Sequence, residues 1–371
     1  MSMRVKSLEE FDRELAAAHM RGQWQYDRLL EQVIGGPRPA GVPHIWRWPD
    51  VEPYLREALE VLPQTYTARR HLSFINPALD RGTTHTIHMG LQMLQPGEVA
   101  WAHRHTLAAL RFVVQGHPNL TTVVDGEDCP MEDYDLVLTP QWTWHDHHND
   151  DARSTALWLD VLDLGIVLGL NCPFYEPYGE ERQPSRPRPS DYLQARTGLV
   201  RPVWERRKTA HLPLRYPWRE IEPLVMAMAD RDGSPYDGIA LEYVNPMTGG
   251  PTFPTMTCWV QMLRPGEATA AHRHTSAAVY FVIRGQGTTV VGDTELQWGQ
   301  NDAFCVPNWS WHSHRNVSAT DEALLFTVND MPTLLALDLY REEPEVSIGR
   351  SEWPPVPGNV ARPAGGPGQA G

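Results

Sequence analysis

Two identical tetrapeptides, His103-Arg104-His105-Thr106 and His272-Arg273-His274-Thr275, recur 169 residues apart in a chain of 371. Each is followed about forty residues later by a second histidine pair, His145 and His147 or His312 and His314, after a Pro-x-Trp-x-Trp run. Alternate side chains of a strand share a face, so an extended segment would carry His103, His105, Leu107, Ala109 and Arg111 on one side. Inside a barrel, joined by His145 from a later strand, these imidazoles form a metal site, and imidazole suits Fe, Zn, Cu or Ni. No carboxylate occurs between Thr106 and Leu110. Three neutral ligands would leave a divalent ion its full charge and open positions. An acid with an adjacent phenolate would chelate and neutralise it, and Arg111 would add a second positive group in fork geometry. Two structural alternatives stay open: a buried Arg111–Asp160 ion pair, and plain packing roles for Gln92 and Trp144.

These residues need a scaffold, and the sequence repeats it. Gln92–Thr106 aligns with Gln261–Thr275, with eleven of fifteen positions identical. Further matches join Thr121 onward to Thr288 onward, and Pro140–Asn149 to Pro307–Asn316. One domain is duplicated. Within each copy, short β-branched and aromatic runs end at Gly, Pro or Asp-Gly, the pattern of a small barrel or jelly roll. The fold class expected is an all-β core of two tandem barrels with peripheral N-terminal helices. The periodicity predicts one amphipathic helix over Ser7 to about Val33 and a second beginning at Trp48 with Asp50 near its N-cap. The expected divisions are a helical segment 1–72, a first barrel 73–176, a Pro- and Arg-rich linker 177–242, a second barrel 243–340 and a largely disordered tail 341–371.

The composition narrows the partners. Lys and Arg total 32 against 46 Asp and Glu, a formal charge of −14, which disfavours nucleic acid and anionic membranes. The four cysteines form no CxxC pair and read as reduced thiols of a cytoplasmic protein. No apolar run reaches the ~18–20 residues of a membrane span, and the N-terminus lacks the apolar core of a signal peptide.

Taken together, "VPHIWRW", "HRHTLAALRFVVQG", "VVDGEDCPM", "LTPQWTWHDHHND", "WLDVLD" and "YVNPMTGGPTFPT" resemble the gentisate 1,2-dioxygenases and their salicylate and 1-hydroxy-2-naphthoate 1,2-dioxygenase relatives, over Val42 to about Glu343. The resemblance implies a bicupin with Fe(II) on His103, His105 and His145. It places the substrate-carboxylate arginine at Arg111, substrate contacts at Gln92 and Gly90, and supporting groups at His147 and Asp160; Trp144 is a further candidate substrate contact. It implies O2-dependent cleavage of a small aromatic acid between its carboxyl- and hydroxyl-bearing carbons. Gentisate, opening to maleylpyruvate, is the leading substrate; salicylate, a 5-substituted salicylate and 1-hydroxy-2-naphthoate are the alternatives. It also implies a dimer or homotetramer. The second copy keeps a triad, His272, His274 and His312, that would take a second metal, but Tyr280 and Thr327 replace Arg111 and Asp160. An oxalate-decarboxylase-like or isomerase cupin is disfavoured by the missing glutamate. A storage or ligand-binding bicupin is disfavoured by the two triads and Arg111.

Overall fold

Runs such as Ala109–Gln115 and Ala278–Arg284 are almost wholly buried along their length, as expected of strands covered on both faces. In the computed structural model, which describes residues 6–62, 70–185, 214–246 and 248–345, they are central strands of two six-stranded sheets. The first sheet runs in the order Arg215–Tyr216, Leu136–Thr139, Ala109–Gln115, Ala156–Leu162, His88–Leu94, Arg70–Phe74. Opposite it lies a five-stranded sheet, Tyr175–Pro177, Val99–His105, His145–Asn149, His117–Val124 and Glu127–Met131. The second half repeats both sheets, and every strand pair is antiparallel. The two predicted barrels are therefore present as paired antiparallel sheets.

The halves pack through the outer faces of their six-stranded sheets. Phe112 stacks on Phe326 with ring centroids 4.0 Å apart, and Phe281 meets Phe112 edge-on. These rings belong to a continuous buried cluster shared by both halves, while each barrel has its own smaller interior cluster. Truncating a buried Phe of this kind costs about 3–5 kcal/mol.

The halves also exchange edges. Strand His44–Trp46, in the stretch before the first barrel, pairs with Ala303–Val306 of the second. Strand Arg215–Tyr216, before the second barrel, pairs with Leu136–Thr139 of the first. A helix follows each strap, Trp48–Val61 and Trp218–Met226. The two helices start alike: the Trp48 N–H donates to Asp302 at 2.7 Å and the Trp218 N–H to Asp135 at 2.8 Å. Each strap covers a sheet edge whose N–H and C=O groups would otherwise be unpaired.

The N-terminal helix expected over Ser7–Val33 is two helices, Leu8–Ala17 and Trp24–Glu31. The break contains Gly22 and also His19 at φ 55°, a conformation a continuous helix cannot hold. These helices lie in a separate compact unit ending at Pro39; the barrels lie in the other. Asp50 sits in the first turn of its helix, and Arg47 is the N-cap. Within the stretch 177–242, residues 186–213 lie outside those described, as do 346–371 of the expected tail. Glu342–Pro344, read as tail, is a strand pairing with His272–His274.

Candidate active site

One five-stranded sheet carries all three histidines of the first triad. His103 and His105 are on Val99–His105, and a β-bulge between Ala100 and His103 sets His103 opposite His145 on the neighbouring strand. Their ligand atoms lie within 4.8 Å of one another. Each Nδ1 faces a main-chain carbonyl: His103 to Trp101 at 2.9 Å, His105 to Leu107 at 2.9 Å, His145 to Thr143 at 3.0 Å. A carbonyl only accepts, so each Nδ1 holds the proton and each Nε2 presents its lone pair. The buried Nε2 of His145 has no hydrogen-bond partner among the described residues. Burial, then the charges of His103 and Arg111, push the His145 pKa well below its ordinary value. The imidazole is therefore neutral, as metal ligation requires. Three neutral nitrogen donors fit a divalent first-row transition ion.

Arg111 reaches the same cavity from the other side. The single strand expected over His103–Arg111 is broken: the chain turns at Thr106–Ala108 and enters the six-stranded sheet at Ala109. The Ala108 N–H donates to Asp163 at 2.9 Å and anchors that turn. His103 and Arg111 still converge, because they stand on the inner faces of opposed sheets.

The six-stranded wall is read rung by rung. Arg111, Asp160, Gly90 and Ser73 are successive register partners; Val113, Trp158, Gln92 and His71 form the next rung. Arg111 Nε is 2.9 Å from Asp160 Oδ1, with both side chains almost fully buried. The guanidinium also donates to Thr139, while Trp158 Nε1 donates to Asp160 at 3.1 Å. Gly90 has no room for a side chain: a Cβ there would come within 2.5 Å of both His71 Cε1 and the Leu72 carbonyl oxygen. Its absence lets the His71 ring stand over the strand. The cavity, about 420 Å³, is lined by His103, His105, Arg111, Gln92, His147 and Asp160, and by an apolar group, Leu107, Leu162, Leu164, Pro173 and Phe174.

This chain matches the Cupin domain family twice, at residues 90–162 and 259–329. It is 47% identical over 365 residues to the 1-hydroxy-2-naphthoate 1,2-dioxygenase of Nocardioides sp. (strain KP7), covering 98% of this chain and 94% of that protein. It is 41% identical over 349 residues to the 5-aminosalicylate 1,2-dioxygenase of Comamonas sp, covering 92% and 91%. Among solved structures, the salicylate 1,2-dioxygenase of Pseudoaminobacter salicylatoxidans with gentisate superposes with a TM-score of 0.81 at 28% identity, covering 93% and 96%. The chain belongs to the gentisate and salicylate 1,2-dioxygenase family. It is a bicupin and a ring-cleaving dioxygenase.

In this dioxygenase Gly90, expected to touch substrate, is not among the cavity-lining residues. His147 is buried beside the triad, its Nδ1 2.7 Å from the Thr122 hydroxyl and its ring against Trp158. Trp144, expected to touch substrate, is not among the cavity-lining residues. Its ring lies 4.3 Å from the Arg104 guanidinium and edge-on to Tyr178, so its surroundings are a cation–π stack outside the cavity. His71 and His88 were missed. They line the cavity as stacked rings 5.5 Å apart, with the Ser73 hydroxyl 3.3 Å from one and 3.2 Å from the other. Burial, then the charge of His71, lowers the His88 pKa to about 4 against the opposing pull of Asp160, and burial lowers that of His71 as well. Both are neutral near pH 7. The alternation His88-x-Gly90-x-Gln92 was the available signal. No helix among the described residues is long and apolar enough to cross a membrane.

Proposed function

We propose that the first barrel uses Fe(II) on His103, His105 and His145 to cleave 1-hydroxy-2-naphthoate between its carboxyl- and hydroxyl-bearing carbons. The observation that carries this reading is the division of the cavity wall. Arg111, Gln92, His103 and His105 supply charge and hydrogen bonds, with His71, His88 and Tyr175 as further polar lining; Leu107, Leu162, Leu164, Pro173 and Phe174 supply none. An apolar wall rewards a fused second ring, at about 25 cal/mol per Å² removed from water, and leaves a polar ring substituent unpaired. The 47% identity to a dioxygenase named for that acid supports the same substrate.

When bound, Fe(II) supplies the O2-activating redox chemistry and a Lewis-acidic anchor for the substrate oxygens. The chain's own residues position and discriminate. Arg111, steadied by Asp160 and Thr139, supplies the positive charge for the carboxylate. Gln92, buried on the same wall, offers an amide to a substrate oxygen. His147 fills the floor behind His145, and the apolar residues exclude water from the ring. The same reading takes the working form to be a cytoplasmic homo-oligomer, a dimer or tetramer, measurable by light scattering.

Gentisate, giving maleylpyruvate, is the second reading. The His71–Ser73–His88 cluster favours it, since neutral imidazoles and a hydroxyl could hydrogen-bond a 5-hydroxyl. Oxygen uptake by Fe(II)-reconstituted protein, with 1-hydroxy-2-naphthoate, salicylate, 5-aminosalicylate, 5-nitrosalicylate and gentisate in parallel, decides between them. The expected result is a kcat/KM for 1-hydroxy-2-naphthoate at least about tenfold above gentisate, a difference of about 1.4 kcal/mol. The reverse order would replace the naphthoate reading with gentisate.

A further inference from the structure

The second barrel repeats the first triad and the bonds that aim it. His272 faces His312 in register, as His103 faces His145. His274 Nδ1 is 2.8 Å from the Ser276 carbonyl and His312 Nδ1 2.9 Å from the Ser310 carbonyl, matching the acceptors of His105 and His145. The three ligand atoms again lie within 4.8 Å of one another. The supporting groups are copied too. Arg273 lies between Trp309 and Trp311 and pairs with Glu343, as Arg104 lies between Trp142 and Trp144 and pairs with Glu176. Thr289 meets His314 as Thr122 meets His147. The Nε2 atoms of His272 and His312 are buried and have no hydrogen-bond partner among the described residues. Two such orphaned acceptors aimed at one point are costly unless something fills it.

The substrate wall, by contrast, is not copied. Tyr280, Thr327 and Trp259 stand on the rung where the first barrel has Arg111, Asp160 and Gly90. No buried arginine lines this larger cavity, of about 790 Å³; its charged lining includes Asp237 and Glu342, with the exposed Arg231 at its rim. Glu342 Oε1 lies 4.0 Å from His272 Nδ1, and its other oxygen accepts from the Tyr340 hydroxyl at 3.0 Å. Glu342 holds the register position of Tyr175 in the first barrel, and His272 Nδ1, unlike His103 Nδ1, has no hydrogen-bond partner among the described residues. A carboxylate at this distance acts on the imidazole through its charge and not through a hydrogen bond.

We infer that the second barrel holds its own divalent transition-metal ion on the Nε2 atoms of His272, His274 and His312, with the Glu342 carboxylate beside His272, and that this centre does not take the aromatic acid. The three carboxylates of the cavity lining, Asp237, Glu242 and Glu342, offset the ion's charge without any anionic ligand. Its remaining positions suit water or another neutral oxygen donor. Ring cleavage stays in the first barrel.

The test is metal content per chain, counted by mass spectrometry after anaerobic loading with Fe(II), and with Co(II) for its visible spectrum, followed by desalting. The wild-type chain should hold two ions. His312→Ala should hold one and keep oxygen uptake; His145→Ala should hold one and lose it. One ion in the wild type with none in His145→Ala would overturn the second centre, whatever the substrate proves to be. Glu342→Gln, at an exposed position, removes a charge about 4 Å from the triad and should weaken one of the two ions by about fivefold in chelator competition. Two unchanged affinities would remove Glu342 from the site. A wild type with two ions but no turnover on any aromatic acid would fail the ring-cleavage reading and leave this one standing.

Discussion

Replacing Arg111 separates what the residue does for the fold from what it does for the substrate. Its guanidinium and the Asp160 carboxylate are paired at 2.9 Å, with side chains only 5% and 7% exposed, so solvent screening does not reduce the pair to the small value of a surface bridge. Arg111→Met strands a buried carboxylate, which costs about 3–5 kcal/mol of stability. The Trp158 indole still donates to Asp160, which places the loss near 3 kcal/mol. The substrate carboxylate loses a buried charge partner worth about 2–5 kcal/mol, or roughly 30-fold to several thousand-fold in kcat/KM. Arg111→Met combined with Asp160→Leu removes both charges. Buried pairs replaced by apolar groups are often neutral in stability, so the double variant should regain most of the lost unfolding free energy and none of the activity. Urea unfolding and oxygen-electrode kinetics on iron-loaded protein give the two readouts. A double variant as unstable as the single one, or a single variant within about threefold of wild-type kcat/KM, would refute the two-role assignment.

Gly90→Ala forces a Cβ within 2.5 Å of His71 and the Leu72 carbonyl; overpacking of this kind costs about 1–3 kcal/mol. Kinetics of the folded variant should show a higher KM for the aromatic acid, and an unchanged KM would mean that His71 does not border the substrate. Trp144→Ala should leave kcat/KM within about threefold while lowering thermal stability, since the ring stacks on Arg104 outside the cavity; a large loss in kcat/KM with intact fold would restore Trp144 to the substrate site. Asp163, buried beneath Ala108 and Thr255, has its pKa raised from 3.8 to about 6 by burial. A carboxyl with a raised folded pKa binds its proton more tightly when folded, so its contribution to stability is present below about pH 4 and lost as pH rises to about 6. Asp163→Asn should therefore flatten the fall in unfolding free energy over that window. Parallel denaturation series showing the same slope for both proteins would count against it.

The repeat was readable because its marks are local: histidines at spacing two, glycine- and proline-ended strands, and an offset of 169 residues. The triad followed, since His103, His105 and His145 lie on adjacent strands of one sheet. The sheet change between His105 and Ala109 was not readable. It depends on the turn anchored by Asp163, which lies more than fifty residues away, and strand alternation alone cannot reveal a corner. Nor was the exchange of edges. Strand His44–Trp46 is three residues long and finds its partner near residue 305, so nothing local marks it. Trp144, named as a candidate substrate contact, immediately precedes the strand His145–Asn149 and stacks on Arg104 instead of lining the cavity.

The edge exchange explains why a barrel without the acid clamp remains joined to one that has it. Strap Arg215–Tyr216 lies against Leu136–Thr139, the strand whose Thr139 hydroxyl receives the Arg111 guanidinium. Arg215 also binds Asp135 and Glu132, and Asp135 accepts the N–H that starts the helix at Trp218. The leader of the second barrel is thus the outer support of the first barrel's substrate wall. The first barrel's leader supports the second in the same manner, through His44–Trp46 and Asp302. After duplication, substitution at Tyr280, Thr327 and Trp259 could dismantle one substrate wall, because those positions face a cavity and carry no part of the exchange. Losing the barrel itself would uncover the strand behind Arg111. Tyr280, Thr327 and Trp259 replace Arg111, Asp160 and Gly90 on one rung of the wall, while the triads and the straps are held in common.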